Sequence, residues 1–598
     1  MLEARKRMIA ALSALSLLGP VAAQERADLV LTGGKIATLS YGEGFVEALA
    51  VRDGLVYAVG SDEEVLRHAG EGTRRIELGG RTVIPGLDDS HAHVVRGGRF
   101  YNLELRWDGV PSLREGLERI RRQALRTPEG QWVRVIGGWS PYQFAEKRMP
   151  TIAELNEAAP DTPVFVLFLY SKGFLNRAGV EALGLTPETE APPGSRYVFV
   201  DGGAELLAEP NPTILYKTIG RLPQLSEEDQ VDSTLQFYRE LNRFGLTSAI
   251  DAGGGGHVFP TNYEATRKLA EAGRLPLRIS YFLFPQQPGN ELAEFRAWTE
   301  ANTAGSDLDT LHAGGYVLEG GGEFLVWSAG DFENFMAPRP ELREEADTEL
   351  AAVTRHLVGK RWPFRIHATY GESIDRLLDV FERVDAELPF DGLRWAIDHA
   401  ETIRPDQIQR IQRLGGGVAI QNRMAFAGEF FRERYGEEVT AAAPPLRRLV
   451  DSGIPLGAGT DATRVSSHNP WLSLYWMVSG RTVGGAELYP AENRLTRLEA
   501  LRLYTAGSAW LSGEEGSKGT LKPGMFADFA VLSADYFTVP VEDLRTIESV
   551  LTVVGGEPVY GAGPYAELSP ALPEPSPAWS PVGTFGGYWS PARSMEAK

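Results

Sequence analysis

The stretch "IPGLDDSHAHVV", residues 84–95, sets two of the chain's nine histidines one residue apart, at the end of the apolar run "RTVIPGLDDSH" (81–91). Side chains two apart on an extended segment share a face, so His91 and His93 can reach a single ion while Ala92 keeps the backbone close. If 81–91 is a strand, seven later segments have the same character: "GLTSAIDAG" (245–253), "LRISYFLF" (277–284), "AGGYVLE" (313–319), "FRIHA" (364–368), "LRWAIDH" (393–399), "GGVAIQ" (416–421) and "IPLGAGTD" (454–461). Helical patterns fall between the later ones. "ESIDRLLDVFERVDAEL" gathers Ile374, Leu377, Leu378 and Phe381 on one face, and "PDQIQRIQRLG" repeats the device and closes on Gly415. Eight strands with intervening helices predict an α/β fold of (β/α)8, TIM-like barrel type, with a doubly wound sheet as the alternative.

In such a barrel the chemistry sits at the C-terminal ends of the strands. His91 and His93 follow strand one, His367 ends strand five, His399 ends strand six and Asp461 ends strand eight. The interval from His367 to His399 is one βα unit and that from His399 to Asp461 is two, so all five donors arrive at one mouth. Four imidazoles and a carboxylate suit a borderline divalent ion, zinc foremost, with one or two ions per chain. His68, His257, His312 and His356 have no such register and read as structural or surface residues; His468, in the loop after Asp461, could line the pocket.

The flanks carry punctuated short strands: "LVLTGGKIATL" and "VEALAVRDGLVYAVG" near the start, "GTLKPGMFADFAVLSAD" and "SVLTVVGGEPVYG" near the end. We therefore expect a small β-sandwich-like domain built from both termini (27–80 and 513–562) around a barrel at 81–512. Strands one and two stand about 155 residues apart, too far for a loop, which places an inserted subdomain over the mouth at about 105–240. The tail, 563–598, is rich in Pro, Ser and Gly and reads as a surface segment.

Residues 1–23 combine Arg5, Lys6 and Arg7, an apolar run and the small residues Val21, Ala22 and Ala23, the pattern of a secretory signal peptide. A periplasmic or secreted protein is expected, with no membrane attachment after cleavage. The 60 Lys and Arg against 80 Asp and Glu give a net charge of -20, which argues against nucleic acid as a partner. Having no cysteine, the chain has no disulfides, thiolate ligands or Cys nucleophile. A small-molecule substrate fits best, and a homo-oligomer is left open.

Together, "VIPGLDDSHAH", "GLTSAIDAG", "IHATYGESID", "IDHAETI" and "IPLGAGTDATRV", with "GTLKPGMFADFAVL" near the end, resemble the amidohydrolase superfamily, in particular its amidohydrolase-3 branch, which includes N-substituted formamide deformylases. The resemblance covers roughly residues 27 to 562. It implies that His91, His93 and Asp461 bind the more buried metal, and that His367 and His399 bind a second or orient the substrate carbonyl. Members often bridge two metals through a carboxylated lysine on strand four. Here that strand, "AGGYVLEGGGEF", has no lysine; Glu319 is the nearest substitute, with Glu323 behind it. "HATYGE" is one residue longer than the family's usual "HAxGD" and brings Tyr370 toward the pocket, whose wall would also hold Gln421, the aromatic loop "NRMAFAGEFF" and Arg464. The inserted segment reads "YSKGFLN", with Ser171 and Lys172 where the branch often has a histidine before its Asn.

The activity implied is hydrolysis of a non-peptide C–N bond, in an amide, formamide or cyclic amide, by metal-activated water. Asp461 would act as general base and then acid, and His399 or a second metal would stabilise the oxyanion. Esters, lactones or phosphotriesters could be cut by the same site, and an exported metal- or ligand-binding barrel without catalysis is the reading from another class.

Overall fold

A computed structural model describes residues 26–40, 44–305, 314–332, 335–339 and 341–590. The signal peptide read at 1–23 and the end of the tail lie outside them. Eight strands, β1 (Leu87–Ala92), β2 (Leu246–Asp251), β3 (Arg278–Leu283), β4 (Tyr316–Gly321), β5 (Phe364–Ala368), β6 (Trp395–His399), β7 (Gly417–Gln421) and β8 (Leu456–Gly459), stand side by side in chain order. All seven neighbouring pairs are parallel. The two ends then meet: the Asp461 N–H donates to the His91 carbonyl at 2.7 Å, and the His93 N–H to the Ala462 carbonyl at 2.9 Å. This is the TIM-like barrel, and meeting ends rule out the doubly wound sheet.

Parallel strands are covered on both faces, which is why their sequences are near-continuous apolar runs; every residue of β1, β2, β5, β6, β7 and β8 is buried. The amphipathic helices supply the outer cover. Helix Gly371–Glu387 buries Ile374, Leu377, Leu378 and Phe381, and helix Pro405–Arg413 opens on a proline that fixes its first turn. It is closed by Gly415, whose φ of +70° is the left-handed stop that glycine adopts at little cost.

The run 81–91 is two strands rather than one. Thr82–Pro85 pairs with the terminal strands, and the chain passes into β1 at Gly86. A Cβ on Gly86 would lie 2.0 Å from Thr247 Oγ1, so only glycine passes this close to β2. The terminal strands form a four-stranded sheet (Leu55–Gly60, Ala48–Arg52, Leu29–Thr32, Arg74–Glu77) and a six-stranded one (Glu557–Gly561, Ser549–Val554, Phe529–Leu532, Thr82–Pro85, Lys35–Ala37, Phe45–Val46). Leu29, Leu49, Ile76, Val83, Phe529 and Leu551 share one core between them. Arg278 to Asp528 at 2.7 Å and Lys518 to Asp88 at 3.0 Å tie this domain to the barrel floor.

Between β1 and β2 an inserted five-stranded sheet runs in the order Ser195–Val200, Gly203–Ala208, Lys172–Leu175, Val164–Phe168, Val133–Ile136. Lys172 is paired with Glu205 at 2.8 Å. Asn176, the last residue of "YSKGFLN", is fully buried and caps helix Arg177–Leu183. Its Oδ1 accepts from the Val164 and Gly179 N–H groups at 2.9 Å each, and its Nδ2 donates to the Ala159 and Thr162 carbonyls at 2.7 and 2.9 Å.

The described part of the tail, 563–590, runs over the surface, most of its residues exposed or half-buried, and is fastened along its length. It is a strap: Gln236 and Arg239 of helix Glu227–Arg243 donate to Pro573 O and Ser569 Oγ, Asn102 and Gln123 of the inserted region donate to Ser576 O and Trp579 O, and Trp589 N–H reaches Asp108 O. The strap also donates, from the Ser576 and Tyr588 N–H groups to Asp232 and Glu240 and from the Ser580 hydroxyl to the Asn102 carbonyl.

Replacing Asn176 by Ala leaves two N–H groups and two carbonyls without partners in a dry site. We expect a loss of about 3 kcal/mol, read as a lowered urea midpoint of the transition that reports the inserted subdomain.

Candidate metal centre

Strand alternation and the seam together decide which side chains enter the mouth. Asp89, inside the barrel, accepts from the His91 N–H at 3.1 Å, from the Thr460 N–H at 3.0 Å and from the Thr460 hydroxyl at 2.6 Å. Burial raises its carboxyl to about 7 in spite of these donors. Beyond this clasp His91, His93 and Asp461 emerge together. Asp461 and His399 have left-handed backbone, with φ of +56° and +76°, a conformation that non-glycine residues hold only where the surroundings fix it.

The donors converge on one carboxylate, that of Glu323. Its Oε2 lies 3.4 Å from His91 Nε2, 3.3 Å from His367 Nδ1 and 3.3 Å from His399 Nε2, and its Oε1 lies 3.7 Å from His93 Nε2. Asp461 Oδ1 stands 3.0 Å from His93 Nε2 and 3.6 Å from His91 Nε2. Three overlapping sets, His91–His399–Asp461, His91–His93–Glu323 and Glu323–His367–His399, each have donor atoms within 4.8 Å of one another. Glu323 belongs to two of them.

Neighbours turn each ring. His93 Nδ1–H donates to the Gly253 carbonyl at 2.6 Å, which turns Nε2 to the centre. Asp398 Oδ2, 3.3 Å from His91 Nδ1, does the same for that ring, and is itself gripped by Arg365. Asp331 stands 3.4 Å behind His367 Nε2. Such outer partners fix tautomers and raise ligand basicity. Among the described residues His91 Nε2 is fully buried with no hydrogen-bond partner, opposite two carboxylates. A shared divalent cation reconciles that opposition, so the residues fit a metal: His91, His93 and Asp461 on one side, His367 and His399 on the other, Glu323 between.

The acids are held ionised. Burial works against Glu323, but the charge of His91 and hydrogen bonds from His367 and His399 keep it well below the usual carboxylate range. Asp461 is likewise disfavoured by burial and lowered by the His93 hydrogen bond and by Arg423, whose Nη2 donates to Oδ2 at 2.7 Å. Asp398, opposed by burial, is brought down to about 2 chiefly by Arg365.

Five of the residues chosen from sequence, His91, His93, His367, His399 and Asp461, thus come together. Glu319 does not join them. Its carboxylate lies beside Gly513, 3.4 Å from where a Cβ would sit there, away from the histidines. The glycines at 320–322 explain the shift: a Cβ on Gly320 would meet the Pro363 carbonyl at 2.0 Å and one on Gly322 the Arg365 carbonyl at 2.5 Å, so the bare backbone slides against β5 and delivers Glu323 to the mouth. The Glu323 carbonyl then accepts the His367 N–H at 3.0 Å.

Tyr370 also points elsewhere. It precedes helix Gly371–Glu387, and its hydroxyl meets that of Tyr435 at 3.5 Å. Gln421 folds its amide back onto the Ala419 carbonyl at 2.8 Å. Phe430 packs on Tyr142 and Phe168, and Phe426 faces a separate cavity. His468 is buried among Tyr101, Phe237 and Phe244, 3.6 Å from both Asp108 and Glu240. Arg464 is buried close to Arg96 and Tyr170, behind the cavity wall.

The wall itself comes from segments the strand register does not reach. Arg96 follows His93 by one helical turn; Tyr170 and Tyr216 come from the inserted subdomain; Phe324, Trp327 and Phe332 follow β4, with Phe284 opposite. Phe324 stacks on the His367 ring at 5.1 Å. The open space is about 30 Å3, so a substrate enters only by displacing some of these side chains. The signal for this wall was the string "GGGEFLVWSAGDF", an acid followed by aromatics just past a strand end.

A family model described as "Amidohydrolase family" matches residues 74–560. The N-substituted formamide deformylase of Arthrobacter pascens is 26% identical over 556 residues, spanning 88% of this chain and 97% of that one. The putative amidohydrolase YtcJ of Bacillus subtilis is 25% identical, spanning 88% and 98%. Among solved structures, an uncharacterized metal-dependent hydrolase from Pyrococcus furiosus is similar in fold, with a TM-score of 0.61 at 24% identity over 85% of this chain and 100% of that one.

Glu323→Ala removes the carboxylate common to two donor sets, whereas Glu319→Gln leaves all of them intact. We expect metal content after dialysis to fall by at least one ion per chain in the first variant and to stay at the wild-type value in the second, as read by elemental analysis.

Proposed function

The chain belongs to the amidohydrolase family and is a metal-dependent hydrolase acting on C–N bonds, and we propose that within this class it cleaves a non-peptide amide, formamide or cyclic amide. One observation carries the reading: four histidines converge on Glu323 with an ionised Asp461 at their edge. The imidazole and carboxylate donors favour zinc. When bound, such an ion makes water acidic enough to give up a proton near neutral pH and polarises a carbonyl oxygen.

The remaining work falls to the protein. Arg423 fixes Asp461 through Oδ2 and keeps it ionised, so Oδ1 is presented toward the centre as a proton acceptor. Asp461 takes the proton released as the carbonyl is attacked and returns it to the departing nitrogen, without which an amine anion would have to leave. His399 turns Nε2 to Glu323 at 3.3 Å, so it serves the metal set or, beside it, the developing oxyanion. The aromatic wall and the tyrosines of the inserted subdomain exclude bulk water, which strengthens every charge interaction inside. The basic, apolar and small-residue succession at 1–23 supports an exported, periplasmic or secreted, protein.

Asp461→Asn keeps the shape and removes the proton acceptor. Against a panel of formamides, acetamides, cyclic amides, esters and phosphotriesters, the wild type should turn over an amide fastest, and Asp461→Asn should lose at least about 1000-fold in kcat, in the range general acid–base groups supply. Undiminished kcat in that variant, or a phosphotriester as best substrate, overturns the proposal.

A further inference from the structure

The cavity beside the metal centre is lined by a buried cation, Arg96, that has no carboxylate partner of its own among the described residues. Arg96 is only 4% exposed, its Nε has no hydrogen-bond partner, and no ion pair reaches it among the described residues. Its Nη1 and His93 Nδ1 lie 3.0 and 3.5 Å from one point, where a Cβ on Gly254 would sit, so the guanidinium ends close to a ligand ring. Burial works against its charge, and the field of Tyr170, Tyr216, Asp461 and Asp251 offsets that; the two carboxylates are already engaged, Asp461 by His93 and Arg423, and Asp251 by the N–H groups of Val95 and Gly253.

Other buried arginines are treated differently. Arg106 pairs with Glu104 and Asp108, Arg278 with Asp528, Arg365 with Asp398, Arg243 with Glu240 and Arg423 with Asp461. Arg134 and Arg239, which have no salt bridge, still donate to the Pro223 carbonyl and the Ser569 hydroxyl, and neither lines the cavity. Around Arg96 the positive charge is increased instead: Arg464 and Arg99, 6% and 8% exposed, lie close by with no salt bridge among the described residues, held by Tyr170 and Gln230. Among the described residues Arg96 has no ion pair to occupy its fork of N–H donors, a shape that fits two carboxylate oxygens.

We propose that Arg96 is a specificity-determining residue that binds a carboxylate on the substrate, so that the preferred substrate is an amide carrying a carboxylate and an aromatic or other apolar group. Arg464 and Arg99 add to the field, and Phe284, Phe324, Trp327 and Phe332 receive the apolar group. The aromatic walls without Arg96 would favour neutral amides. The identity of the scissile bond rests on the hydrolase reading above; the anion site does not.

The test uses the metal-loaded full chain and two matched pairs. In binding by calorimetry, 3-phenylpropionate should bind at least 10-fold more tightly than 3-phenylpropionamide, and Arg96→Gln should abolish the difference. A carboxylate held by the metal alone would keep its advantage in that variant, which overturns the proposal, as does equal binding of acid and amide to the wild type. In turnover, N-formylphenylalanine should exceed N-formylphenethylamine at least 10-fold in kcat/KM, mainly through KM, with the ratio collapsing in Arg96→Gln and partly restored in Arg96→Lys. The wild-type comparisons hold even if a variant misfolds. Arg96-dependent carboxylate binding without cleavage of any amide would support this site and refute the hydrolase reading; amide cleavage indifferent to the carboxylate would do the reverse.

Discussion

Everything at the mouth depends on how strands one and eight are fastened. Asp89 holds both through one carboxylate, taking the backbone N–H groups of His91 and Thr460 and the Thr460 hydroxyl. The barrel could not close on apolar contacts alone with such register, because hydrophobic contact is not directional. With the clasp in place, His91 and Asp461 become neighbours although far apart in sequence. The left-handed backbone at Asp461 follows from the same fastening, since its N–H must turn back to the His91 carbonyl.

A second constraint is charge. The centre gathers Glu323, Asp461, Asp331 and Asp398 in a space where none of them is solvated. Rings of histidine and the guanidiniums of Arg365 and Arg423 compensate them, and a divalent cation completes the balance. This explains why the side chains behind the ligands are as tightly specified as the ligands. Arg365, in particular, spans from Asp398 to the Ser90 carbonyl and so links the strand-six support of His91 to strand one itself.

The strands were readable because parallel barrel strands are apolar throughout and their ends follow the βα period; β5 was read to the residue. The histidines were readable because their positions repeat that period. Glu323 was legible only as the acid behind Glu319, because it enters through a bend at Gly322 that carries it past the strand end where periodicity stops. Gly86 hid a boundary for the opposite reason: an apolar run continues across it while the chain changes sheets. The cavity wall was least legible, since Arg96, Tyr170 and Tyr216 are placed by an inserted sheet whose docking leaves no periodic mark. The tail's place on the surface followed from its proline and serine content, but the hydrogen bonds that fasten it from Ser569 to Trp589 leave no mark in composition.

The clasp has a further consequence for how the chain is made. Asp89 and Thr460 are 371 residues apart, and the strand at Thr82–Pro85 waits still longer for Phe529–Leu532. During synthesis, the two early strands therefore emerge without these late partners, and one hydrogen-bonding edge of each stays unpaired until most of the polypeptide exists. Long-range closure of this kind is slow and prolongs exposure to aggregation. The barrel is thus a structure of the completed chain, one that a nascent chain cannot form by stages from its N-terminal end.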